Sequence, residues 1–122
     1  MKVLIDLIED IQTTLDNTTD FTLAGMGLQE DSNGEFEPQW KSSIVHYRLD
    51  DKEKKFFLFL GQNKPLKITD LLSELNSYSN EAMMYEICLT YTQENQRLDK
   101  NIVGFGESLP EKKYLLFVDV NN

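Results

Sequence analysis

The side chains best suited to nucleophilic or acid–base work near neutral pH are one histidine, His46, and one cysteine, Cys88. An imidazole can move protons or ligate a metal, and a thiol attacks only as its thiolate. His46 has no second histidine at helical spacing, no paired cysteines and no glutamate-bearing helical motif around it, so no zinc-site pattern exists. Cys88 stands between Glu86 and Thr90 in a stretch that alternates like a strand, with no cation or helix start beside it to lower its pKa. The two could meet only through the fold. Their ordinary readings are a packed strand thiol and a surface imidazole.

Other chemistry fails on spacing. Gly25-Met26-Gly27 and Gly104-Phe105-Gly106 do not complete a dinucleotide-binding Gly-x-Gly-x-x-Gly, because Glu30 and Leu109 hold the third positions. They read as turns or bulges. If Gly34 is set at the sixth position of a calcium loop, Asp31 and Asn33 fall third and fifth. Gln29 then falls first and Trp40 twelfth, where the bidentate acid belongs. A looser oxygen site from Asp31, Asn33, Glu35 and Glu37 stands against a solvated loop. No cofactor and no metal is implied, and the chain is not expected to be an enzyme.

The distribution of charge says more. The net charge is -9, and between Val3 and Trp40 lie nine acids and no Lys or Arg: Asp6, Glu9, Asp10, Asp16, Asp20, Glu30, Asp31, Glu35 and Glu37. The rest of the chain carries twelve of each sign, so the whole excess sits in the first third. Direct contact with nucleic acid or an anionic membrane needs a basic patch, and none stands out. A basic protein partner is expected instead, against the plainer reading that negative surfaces keep proteins soluble. Phe36 and Trp40 lie among these acids, an aromatic anchor with a charged rim if the rings are exposed. The eleven residues, Phe36 and Trp40 with the nine acids, are the candidate partner-binding set.

The elements that must position these groups can be read in order. Leu4, Leu7, Ile8, Ile11 and Leu15 recur at helical spacing and predict an amphipathic helix over 2–16, ended by the polar run 16–20. Residues 21–28 read as an outer strand bent at its glycines, and 29–38 as a mobile polar loop. Residues 44–49 alternate, with Val45, Tyr47 and Leu49 on one face and Ile44, His46 and Arg48 on the other. A charged turn leads to Lys54-Lys55-Phe56-Phe57-Leu58-Phe59-Leu60-Gly61, whose run from Phe56 to Leu60 is apolar on both faces and therefore central. A second helix follows, with Leu66, Ile68, Leu71, Leu72 and Leu75 inward and Thr69 or a neighbour as its cap. Residues 83–92 form a strand with one dry face, 93–110 are mainly loop, and 114–120 close the sheet.

The expected fold class is α+β: residues 1–122 as a single domain, with a mainly antiparallel sheet of about five strands and two helices, order αβββαββ. The two-faced apolar strands need cover from the helices or from a second copy, so a homodimer is possible. No apolar run approaches the ~20 residues that span a bilayer. Asp6 also interrupts what would be a signal-peptide core, so a soluble cytoplasmic chain is expected.

These features suit an immunity or inhibitor protein that neutralises a basic effector, such as a nuclease toxin whose own groove must be cationic. Small acidic α+β chaperones of bacterial secretion resemble this chain in size, charge and the opening amphipathic helix before several strands. That resemblance implies a bound extended partner segment and a dimer, and it departs at the C-terminus, where those chaperones end in a helix. A nucleic-acid mimic inhibitor would need acids spread at phosphate-like spacing over a long surface. A metal-dependent enzyme would need carboxylates that the spacing does not pair.

Overall fold

In the computed structural model, which describes residues 1–121, Leu4, Leu7, Ile8 and Ile11 form the buried stripe of α1 (Leu4–Thr18). The side chain of Leu15, next in the expected stripe, and that of Asn17 lie outside the described residues. The helix opens with a reciprocal lock. The Val3 N–H donates to Asp6 Oδ2 at 2.8 Å, and the Asp6 N–H donates to the Val3 carbonyl at 3.0 Å. It runs on past the predicted stop to Thr18, whose hydroxyl bonds back to the Thr14 carbonyl.

Three strands follow, β1 (Thr22–Glu30), β2 (Phe36–Asp50) and β3 (Lys55–Leu60). Helix α2 (Ile68–Leu75) and a 3₁₀ turn (Ala82–Met84) precede β4 (Glu86–Gln93), β5 (Gln96–Asn101), β6 (Gly104–Ser108) and β7 (Lys113–Asp119). All strands join one sheet in the order β5-β4-β3-β2-β1-β7-β6. β3 and β4 are parallel, as are β1 and β7, and the remaining pairs are antiparallel. Among the described residues no helix is long and apolar enough to cross a membrane.

The α+β class stands, but the expected mainly antiparallel sheet of five strands in the order αβββαββ is overturned. The sheet has seven strands, is mixed, and follows αβββαββββ. Two physical reasons account for this. First, α2 and its flanks supply enough chain for a crossover, so β3 and β4 pair side by side in parallel. Second, β5 and β6 are edge strands, β5 mostly exposed and β6 mostly half-buried, so neither carries an apolar alternation to betray it. A two-residue turn at Glu94 and Asn95, φ 53° and 64°, joins β4 to β5.

The sheet is strongly coiled. β2 turns the corner: residues up to Ser43 pair with β1, and those from Ile44 pair with β3. The coil folds the inner face onto itself, so that a Cβ on Gly25 of β1 would stand 2.6 Å from Leu89 Cδ2 of β4, three strands away. At the sheet ends, adjacent residues reach opposite halves: the Ile102 N–H bonds the Ile87 carbonyl in β4, and the Val103 N–H bonds the Phe117 carbonyl in β7. Both helices fill the inner side, where Leu23, Ile44, Phe56, Leu58, Ile87, Leu89, Tyr114, Leu116 and Val118 meet the apolar stripes of α1 and α2 in one core.

Several local expectations change with this geometry. β1 is an interior strand between β2 and β7, because β7 pairs along it from Thr22 to Leu28. Residues 29–38 are mostly paired strand, and the loop proper is confined to 31–35. The bulge expected near the glycines does occur, between Gly27 and Leu28. A second register shift, between Ile44 and His46, turns Ile44 into the core with Tyr47 and Leu49. α2 has Lys67 at its N-cap and no side-chain cap.

The two-faced strands are covered by the chain itself. On the outer face Phe57 is 1% exposed, and its roof is Arg48 of β2 and Arg97 of β5, the only two arginines in the chain. Their guanidinium carbons lie 5.1 and 5.2 Å from the Phe57 ring centre, and 5.8 and 5.9 Å from that of Phe59. Long basic side chains cover apolar surface with their stems while their heads stay wet. Cys88 and Thr90, which pair with Phe57 and Phe59, are buried as well, giving β4 two dry faces where one was expected.

Candidate binding surface

The structure divides the acidic first third into two groups. Asp20 precedes β1 and Glu30 ends it, so these two acids stand at opposite ends of a nine-residue strand, roughly 30 Å apart at the usual rise per residue, with the other acids of the first group along α1. Much of the first group is occupied within the molecule. Asp6 caps its own helix, and Asp10 accepts the Tyr114 hydroxyl at 2.5 Å. Asp20 pairs with Lys112 at 2.9 Å, a bond that holds its carboxyl below the usual range. Glu9 and Asp16 are exposed, and Glu9 joins Asp6 and Asp10 around a shallow groove beside Phe105.

The second group is the β1–β2 hairpin. Its turn is tied by Asp31, whose Oδ1 accepts the N–H groups of Asn33 and Glu35 at 2.8 and 2.9 Å, while the Asp31 N–H donates to the Glu35 carbonyl. Gly34 takes φ 81°, a conformation that favours glycine. Asp31 is thereby a structural acid, and the expected mobile loop is an organised turn. Glu30 faces Phe36 across the pair, with Glu37 opposite Gln29. Phe36 is 53% exposed, and the side chains of Glu30, Glu35 and Glu37 make no hydrogen bond or ion pair among the described residues.

Trp40 is half-buried, so it is neither the free anchor nor the core residue that the sequence left open. It lies over Gly27, where a Cβ would stand 2.4 Å from the ring, and meets Tyr91 edge-on at 4.9 Å between ring centres. Together they line a cleft of about 520 Å³ with Ser42, Leu60, Gly61, Gln62, Thr92 and Gln93. No charged side chain lines it, and burial raises the Tyr91 phenol above its ordinary pKa. Sequence reading missed these residues apart from Trp40, because three separate segments supply them and only the end of β3 brings them together.

The groups that might have done chemistry are placed apart from this surface. Cys88 is buried, burial pushes its thiol pKa up, and its sulfur lies 3.7 Å from Asn101 Oδ1. His46 is exposed on the outer sheet face, against Phe59 at 5.5 Å. Among the described residues no three His, Cys, Asp or Glu side chains gather as a metal-ligand set.

No protein-family model, no curated protein and no solved structure matches this chain.

Proposed function

We propose that this chain is a small acidic binding protein of the immunity or inhibitor kind, which seats its β1–β2 hairpin on a basic effector protein such as a nuclease toxin. The observation that carries the reading is Phe36, an exposed aromatic ring flanked by Glu35 and Glu37 and facing Glu30, none of which is spent on an internal partner. An aromatic anchor supplies desolvated contact area, and free carboxylates around it steer a cationic surface into place. The Asp31 turn holds the tip in shape beforehand, which lowers the ordering cost of association. The acids of α1 and the turn after it are secondary in this reading, since Asp6, Asp10 and Asp20 already serve the fold.

The test is co-expression with whichever basic proteins are encoded beside it, followed by titration of a purified pair. Phe36→Ala is expected to weaken binding at least tenfold, mainly through faster dissociation. Glu35→Lys with Glu37→Lys is expected to slow association and to flatten its dependence on salt. Wild-type affinity in both variants would overturn the proposal.

A further inference from the structure

β3 is shorter than the strands on either side of it. Its pairing with β2 ends at Ile44 and Leu60, and its pairing with β4 ends at Phe59 and Thr90. Residues 40–43 of β2 and 91–93 of β4 continue past that end, each held on its far side by β1 or β5. One more bond, from the Gly61 N–H to the Ser43 carbonyl at 3.1 Å, closes β3 before the chain leaves through 62–65. The cleft lined by Trp40 and Tyr91 is the place where β3 would have gone on.

The main chain in this gap is set up for pairing. Successive residues of a strand direct their N–H and C=O groups to alternate sides. The Ser43 carbonyl faces the gap, so the main chain of Lys41, two residues away, faces it too. The Ile87 carbonyl faces the β5 side by its bond from Ile102, so that of Thr92 faces the gap. Neither Lys41 nor Thr92 has a strand partner on that side. Past the gap, β2 continues back to Glu37 and β4 runs into Glu94, so both flanking strands lead from a cleft with uncharged walls to an acid.

We propose that this cleft takes an extended peptide segment as an added strand on the line of β3, antiparallel to β2 and parallel to β4. An apolar or aromatic side chain of the segment rests on Trp40 and Tyr91, and a lysine or arginine points to Glu37 and Glu94. Strand addition draws affinity from main-chain bonds and selectivity from alternate side chains. The proposal rests on the reading of the hairpin as the docking surface, since the basic partner that meets Phe36 also supplies the segment.

The probe is a random dodecapeptide library selected on the full chain, with the strongest peptide then synthesised. Trp40 is the single tryptophan, so its emission reports the cleft directly. The expected peptide is basic with an alternating apolar pattern. It shifts Trp40 emission, slows amide exchange of Lys41 and Thr92 at least tenfold, and loses at least tenfold in affinity when N-methylated at alternate residues. Fast exchange of both amides in the free protein is also expected. The inference is overturned if those amides are already protected, if the selected peptides leave them unchanged, or if neutral oligosaccharides move Trp40 and no peptide does. A complex with a basic protein partner that is lost in Phe36→Ala, yet leaves the exchange of Lys41 and Thr92 untouched, would retain the hairpin reading and remove strand addition.

Discussion

Asp10 and Tyr114 show how one residue can be read correctly in type and wrongly in role. Asp10 lies on the polar side of α1 as expected, but it is held by the hydroxyl of a fully buried tyrosine from the far end of the chain. Tyr114→Phe would remove that bond and is expected to lower stability by roughly 1 kcal/mol in denaturant titration. Gly25 and Gly27 were legible as special positions, yet their purpose was not. Each leaves room for a side chain that arrives from elsewhere, Leu89 and Trp40 respectively. Gly25→Ala is expected to cost about 1–3 kcal/mol by overpacking. Gly27→Ala is expected to displace the indole, with a shift in Trp40 emission as the readout.

Among elements, the helices and β3 were the most legible, because an apolar stripe at helical spacing and an apolar run on both faces leave few alternatives. β5 and β6 were not, since exposed edges need no apolar pattern and their identity depends on what they pair with. The β4–β5 turn supplies a direct check. Both Glu94 and Asn95 adopt positive φ, which favours Asn-Gly. Glu94→Asn with Asn95→Gly is therefore expected to raise stability by about 0.5–1 kcal/mol, measured by thermal or denaturant unfolding. The outer face of β3 depends on its arginine roof. Arg97→Ala is expected to destabilise by about 0.5–1 kcal/mol, with Arg97→Met recovering part of the loss by restoring apolar cover over Phe57.

At the level of the whole molecule, burial raises Tyr78 to about 12, and burial together with the Asp10 bond raises Tyr114 as well. The unfolded phenols titrate near their ordinary value of 10, so above that pH the unfolded chain gives up protons that the native chain keeps. The contribution of these phenols to stability is complete below pH 10 and falls as pH rises toward 12. Alkaline unfolding is expected to coincide with tyrosinate absorbance, and Tyr114→Phe is expected to lessen the slope. The net charge of -9, with acids left unpaired on α1 and the hairpin, predicts a modest rise in melting temperature between low and moderate salt, through screening of self-repulsion.

Local physics written into the chain determined the helices, the central strand, the acidity of the first third and the absence of familiar catalytic spacing. Each of these depends on residues within a few positions of one another, where periodicity and charge are enough. Tertiary structure alone decided that the acids form two groups, that Asp31 ties a turn while Phe36 is left exposed, and that β3 stops short between two longer strands. Those outcomes come from sheet order and coil, which pair segments far apart in sequence. Nothing in a local pattern records which strand will lie beside which.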